Sequence, residues 1–260
     1  MAFVNYIITF LACTIGKICG MGGGVIIKPV LEAIGTYPTG VINILSGFAV
    51  MAMSGWSIGK GYVGKKSEIQ LSSTLPLAVG ACIGGFVGKK FFSLVSLLFA
   101  NEEKAGGIQA LLLFVAVTLT LVYTLNKKKI PSMQVKNKFW TLFIGLCLGM
   151  LGTFLGIGGG PFNMAVLFFF FSMKPKTAAQ NSLFIILLSQ LTGILTNIPK
   201  ILSLNIGAGI VVGMVISGII GSEVGGKINR HISNETVVHL LNCAMVLVMI
   251  LCIYNVRVLF

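Results

Sequence analysis

Residues 2–35 read AFVNYIITFLACTIGKICGMGGGVIIKPVLEAIG, and residues 139–172 read FWTLFIGLCLGMLGTFLGIGGGPFNMAVLFFFFS. Each stretch is longer than the roughly 20 apolar residues one transmembrane helix needs. Each carries Gly-x-Gly-Gly-Gly in its middle, at 20–24 and 156–160. A glycine inside a helix costs about 1 kcal/mol, and close helix packing needs small residues one turn apart, not in a row. Three consecutive glycines therefore break the helix. Non-helical backbone at membrane depth survives only where protein or a wet cavity satisfies it. Each region is thus read as a helix broken within the membrane, with a short helix restarting after the break. Pro161, directly after Gly160, suits a first helical position.

The rest of the chain agrees with a membrane setting. It has 260 residues, 56% of them hydrophobic and only 10% charged, with mean hydropathy +0.98. Soluble domains carry about 25% charged residues, so this apolar surface does not fit a water-soluble core. Further apolar stretches at 41–58, 73–99, 107–125, 179–198, 206–226 and 237–256 give about eight hydrophobic regions. The class is an all-α polytopic protein of the cell (plasma or inner) membrane. No basic residue precedes the first apolar run and no clean cleavage signal follows it, so it reads as a retained helix.

The breaks belong to a repeat. Gly20–Gly24 recurs as Gly156–Gly160 at an offset of 136, and Pro38 recurs as Pro175 at 137. Gly84, Val87, Gly88 and Lys90 recur as Gly221, Val224, Gly225 and Lys227, again at 137. The chain reads as a first repeat, 1–126, a basic linker, 127–138, and a second repeat, 139–260. Each half opens with a broken region and continues with three ordinary ones. Helices of about 11 and 12 residues after the breaks are too short to cross alone. If the broken regions are re-entrant, the halves are inverted and the loop bases divide 12 against 5; if they cross, the division is 10 against 7. The excess of cytoplasmic Lys and Arg in membrane proteins favours the former. The expectation is inverted repeats, a cytoplasmic linker and both termini outside.

Charge narrows the function. The acids are six glutamates with no aspartate, and the net charge is +13. In a soluble protein that excess would suggest nucleic acid. Here the lysines punctuate apolar segments, which points to orientation by basic loops and contact with anionic lipid, with no nucleic-acid partner. A further reading is that some lysines draw an anionic substrate. Six cysteines without a CxxC pair, beside His231 and His239, offer no metal site and read as small apolar residues. Ile83 and Lys90 exclude a P-loop, and Val25 excludes a dinucleotide fingerprint. No cofactor and no enzymatic chemistry is expected, and transport would be secondary.

Two broken helices, one per half, match the discontinuous-helix pattern of secondary transporters. A restarted helix presents free N–H groups and a positive dipole end to the break. Without competing carboxylates, that arrangement favours an anion. The breaks should meet near the midplane, with Gly22, Gly23, Gly24, Gly158, Gly159, Gly160 and Pro161 forming an amide-lined site. On this reading Gly23→Val or Gly159→Val abolishes transport but leaves a folded protein. Lys28 and Glu32, four apart, form an internal ion pair or, in the sharper reading, set Lys28 against the anion with Glu32 tuning it or carrying a proton. Asn43, Gln180, Asn181 and Ser182 stand near helix starts, either capping them or donating to the anion. Lys17 reads as snorkelling to an interface, Glu223 and Lys227 as a helix-end salt bridge, and Phe168–Phe171 as lipid-facing. Gly84/Gly88 and Gly221/Gly225 read as helix-packing positions.

The sequences GMGGGVIIKPVL and GIGGGPFNMAVL, each followed by a turn with Pro38 or Pro175, resemble the TauE/SafE sulfite exporter family over essentially the whole chain. The resemblance implies a carrier of sulfite, sulfonate or a related small organic anion. Departures bear on selectivity: Asn181 stands where the family's second turn tends to have Thr, the first turn has Asn43 without a Thr-Ser pair, and Ala165 stands where the first half has Pro29. The sequence alone leaves open an uptake permease for a similar anion, a non-transporting membrane scaffold or assembly protein, and a homodimeric state.

Overall fold

The computed structural model describes residues 2–35, 37–65, 67–98, 102–196, 198 and 207–259. Among the described residues the chain is helical, without strands. Ten helices follow in order: α1 (Ala2–Cys19), α2 (Gly24–Ile34), α3 (Thr39–Val63), α4 (Leu71–Leu98), α5 (Glu102–Asn126), α6 (Lys138–Phe154), α7 (Gly160–Phe171), α8 (Pro175–Leu195), α9 (Ala208–His231) and α10 (Asn234–Leu259). They coincide one for one with the predicted apolar stretches, with ends displaced by a handful of residues. Lys66, Lys200 and the polar break expected at 199–205 lie outside the described residues. Seven helices, α1, α3, α4, α5, α8, α9 and α10, are long and apolar enough to cross a membrane. The protein is a polytopic helical membrane protein. Large apolar side chains such as Leu119, Val212, Ile216 and Ile250 are exposed on the long helices, a surface suited to lipid.

Local chemistry sets the ends. Gly35 ends α2 in the left-handed region (φ 69°), its N–H reaching the Leu31 and Glu32 carbonyls. Pro161 and Pro175 sit in the first turns of α7 and α8, where the missing N–H has no helical partner to lose.

Glycine governs the packing. On α4, a methyl group built on Gly80, Gly84 or Gly88 would lie closer than 3.0 Å to the Leu142, Leu146 or Met150 carbonyl of α6. From the other side, Gly145 and Gly149 of α6 stand as close to the Leu77 and Ala81 carbonyls of α4. Gly221 and Gly225 of α9 meet the Phe10 and Thr14 carbonyls of α1 in the same way. Both contacts keep register along the chain, so α4 runs parallel to α6 and α1 to α9. In lipid, helices associate through this close approach.

Hydrogen bonds locate the helix ends. Lys176 N–H donates to Asn234 Oδ1 (3.1 Å), Thr124 Oγ1 to Asn242 Oδ1 (2.8 Å), and the linker N–H groups of Met133 and Val135 to the Phe169 and Phe170 carbonyls (2.9 and 2.7 Å). One end of the molecule therefore gathers the linker, the ends of α5, α7 and α9 and the starts of α8 and α10. Asn255, near the other end of α10, donates to the Pro29 carbonyl of α2 (3.0 Å). So α1 runs toward the linker end and α2 returns from it, whereas α6 leaves the linker end and α7 returns to it. The aromatic run of α7 differs from its lipid-facing expectation. Phe168 is buried with the Lys127 ammonium 4.4 Å from its ring, and Phe169 packs edge-on to Tyr123. The linker folds over that end of α7 and covers it. There, outside the spans, burial lowers the Lys127 pKa below the ordinary lysine value, with Lys128 adding to the effect.

Candidate functional site

The two breaks have matching backbones. Gly20 and Gly22 have φ of 70°, and Gly156 and Gly158 have φ of 71°. That left-handed region is open to glycine at little cost and is strained for most L residues. The turn folds the chain back on itself: a methyl on Gly16 would strike the backbone of Gly22 and Gly23, and one on Gly152 that of Gly158 and Gly159. The halves diverge at the last turn residue, with Gly23 at φ −72° and Gly159 at φ 88°.

The breaks lie against each other. A methyl on Gly24 would sit 3.4 Å from the Ile157 carbonyl, and one on Gly160 would overlap the Met21 carbonyl. Residues 20–25 and 156–164 are all buried, apart from half-buried Gly156. Neither helix start carries a side-chain cap, and first-turn N–H groups have no partner within their own helix. Gly22, Gly23, Gly24, Gly158, Gly159, Gly160 and Pro161 are thus brought together. The packing changes what valine would do at two of them. At Gly23 an added methyl meets Cys13 Sγ at 2.7 Å, and at Gly159 it meets Asn163 Oδ1 at 2.9 Å on a left-handed backbone. Gly23→Val and Gly159→Val would disturb packing as well as any site, so neither leaves the fold untouched.

Lys28 joins this meeting point. It is 2% exposed, and its ammonium donates to Gln109 Oε1 of α5 (2.6 Å) and to the Leu155 carbonyl beside the second break (2.8 Å). Glu32 Oε1 stands 3.8 Å away, in ion-pair but not hydrogen-bond range. A methyl on Gly156 would lie 2.7 Å from Lys28 Nζ and 2.6 Å from Asn43 Oδ1, so the first half delivers a cation and an amide to the break of the second. Asn43 Oδ1 and Asn163 Nδ2 are buried without hydrogen-bond partners. Gln190 of α8 covers Gly158 and Gly47. Gln109 and Gln190 escape sequence reading, because a lone glutamine inside an apolar helix has no motif. Their only signal is the cost of burying an unpaired amide.

The other polar candidates separate. Asn181 is fully buried and fully used. Its Oδ1 accepts from Gln70 N–H (2.9 Å) and Thr74 Oγ1, and its Nδ2 donates to the Glu68 and Thr177 carbonyls (3.2 and 2.7 Å). Gln180 Oε1 accepts from Glu68 N–H (2.9 Å). These two residues fasten the loop between α3 and α4 to α8, and Asn181 has no donor left for an anion. Ser182 Oγ is buried without a partner.

A cavity of about 570 Å³ opens where α1, α3, α8 and α9 end or begin, within the range of small-molecule sites. Lys17, Lys60, Lys65, Lys176, Lys227 and Arg230 line it against Glu68 and Glu223. Its wall includes Ala179, whose Cα lies against Gly20, so a methyl there would overlap it. The basic vestibule therefore borders the first break. Two expectations change. Glu223 pairs with Lys60 and accepts from Trp56 Nε1 (3.1 Å), not with Lys227. Spacing along α9 offers Lys227, but packing of α3 brings Lys60 closer. Lys17 does not snorkel to lipid; it donates to Ser57 Oγ in the vestibule wall.

Comparison with known proteins fits this architecture. The family model "Sulfite exporter TauE/SafE" matches residues 6–253. The chain is similar to "Probable membrane transporter protein YunE" of Bacillus subtilis (strain 168), 25% identical over 270 residues, covering 95% of this chain and 96% of that protein. No solved structure matches it. With seven membrane-crossing candidates and a family match over nearly its whole length, this chain belongs to the sulfite exporter TauE/SafE family of membrane transporters.

Proposed function

We propose that this transporter exports sulfite, a sulfonate or a related small organic anion through the meeting point of its two glycine breaks. One observation carries the reading: two uncapped helix starts and the buried Lys28 converge on the same few residues. Backbone N–H groups and one ammonium suit an anion of low charge. The vestibule supports the direction. Its six bases attract anions at the end that also carries the linker lysines, and that end is cytoplasmic if basic loops mark the inside. Flux into reconstituted vesicles across a panel of sulfite, sulfonates, sulfate and thiosulfate tests the reading. The expected result is flux of at least one of these anions, reduced several-fold by Gly24→Ala. The added methyl would lie 3.2 Å from Val50 Cγ2, close enough to narrow the site without breaking the fold. A scaffold would show no flux in the parent protein, and an uptake permease would load vesicles from the opposite face.

The same reading includes two inverted halves. Exchanging α1–α5 for α6–α10 carries the α1–α9 contact onto α6–α4, the α3–α9 contact onto α8–α4, and α2–α10 onto α7–α5. Each broken region enters and leaves at one end, and the two use opposite ends. Both termini then lie outside. A C-terminal reporter fusion is expected to report the external side; a cytoplasmic signal would reject the orientation.

A further inference from the structure

Lys28 and Glu32 are a buried charge pair that anion binding unbalances. Glu32 has a side chain 4% exposed, and its Oε1 has no hydrogen-bond partner. Its Oε2 receives one long contact from Asn255 Nδ2 (3.5 Å), and Asn255 Oδ1 beside it is itself unpartnered. A carboxylate this far from water normally collects several donors, and this one has an ammonium at 3.8 Å and little else. The other polar groups brought to α2 are Gln109 from α5 and Asn43 from α3, both uncharged, with Cys252 of α10 and, at the break, Cys13 of α1. Free thiols are uncharged at neutral pH. Among the described residues, Glu32 is thus the acidic group that faces Lys28.

We propose that Glu32 is the proton-carrying group of this transporter, taking up one proton when an anion binds beside Lys28 and releasing it when the anion leaves. The inference rests on the functional reading above and adds the coupling ion. Without the anion, Lys28 and Glu32 cancel. With a monoanion present, the cluster holds one excess negative charge in a low-dielectric setting, which is costly. A proton from water on a Glu32 carboxylate oxygen removes the excess, and Asn255, whose Oδ1 is buried without a partner, stands beside that carboxyl to accept from it. The proton has a short way in, since Glu32 lies just before the exposed Ile34 and Gly35 at the end of α2. Anion and proton then move together.

The test uses methanesulfonate, which has no titratable proton near neutrality, with full-length protein in vesicles that enclose a pH dye under a clamped membrane potential. An inward methanesulfonate gradient is expected to acidify the interior by about one proton per anion taken up. In Glu32→Gln the proton-to-anion ratio of whatever flux remains should fall to background, and Glu32→Asp should restore it. Parent flux without acidification overturns the inference alone, as does Glu32→Gln with an unchanged ratio. If Glu32→Gln fails to insert, the parent and Glu32→Asp ratios still decide. No methanesulfonate flux in the parent overturns the functional reading for sulfonates, and this inference with it.

Discussion

Gly84→Val is expected to remove the folded protein from the membrane fraction. The α4–α6 contact is backbone against backbone. A methyl on Gly84 would lie closer than 3.0 Å to the carbonyl, C and Cα of Leu146, and Gly80 and Gly88 have the same relation to α6 one turn away. A flexible side chain could swing aside, but a helix backbone can only move away as a whole. Separating α4 from α6 would also undo the reciprocal seats of Gly145 and Gly149. In lipid no hydrophobic effect compensates, since tails are as apolar as the helices. Overpacking a well-filled core costs about 1–3 kcal/mol, and clashes at backbone on both sides place this case at about 3 kcal/mol or more. The yield of monodisperse protein in detergent and its Tm report the loss. Gly61→Val on α3, where an added methyl meets nothing within 4 Å, is the matched control and should stay within the parent's range. Normal yield of Gly84→Val would mean that the two helices do not rely on this contact.

The sequence carried the helices and the breaks because both are local. Twenty apolar residues or three glycines in a row limit the backbone wherever the chain folds, and the ten helices fall where those limits place them. Four-residue glycine spacing was legible for the same reason. Partnership was not. Lys227 stands four residues after Glu223, yet Lys60 takes the carboxylate from 163 positions away, a choice set by the packing of α3 on α9. Asn181 has the composition of a ligand and the hydrogen bonds of a fastener, because the loop at 67–70 presents it with an N–H and a carbonyl and the first turn of α4 adds the Thr74 hydroxyl. The vestibule lysines read as orientation signals one at a time. Only the fold shows that six bases from four stretches of the chain share one cavity. Lys28 was legible as a charge in an apolar helix, but its contact with the second half's break is purely tertiary.

Lys28→Met should lower anion flux by about ten- to a hundred-fold, the equivalent of losing one charged hydrogen bond at roughly 1.5–3 kcal/mol. Interpreting that loss requires separating charge from fold. Breaking a buried ion pair by removing one member costs about 3–5 kcal/mol, because the partner is left uncompensated. Here the remaining charge would be Glu32, whose Oε1 already lacks a hydrogen bond. Gln109 Oε1 and the Leu155 carbonyl would lose their donor as well. A less stable Lys28→Met protein would therefore say little about the site. The double variant Lys28→Met/Glu32→Gln removes both charges and keeps the volumes. It should recover most of the lost Tm, since the uncompensated carboxylate is gone, and it should still fail to move anions, since nothing positive remains beside Gly156. Measured together, Tm and flux place Lys28 in one of two roles. If the double variant regains stability and transport alike, Lys28 only balances Glu32 and the anion is held elsewhere. If stability returns while flux stays well below that of Glu32→Gln alone, the ammonium itself holds the anion where the two breaks meet.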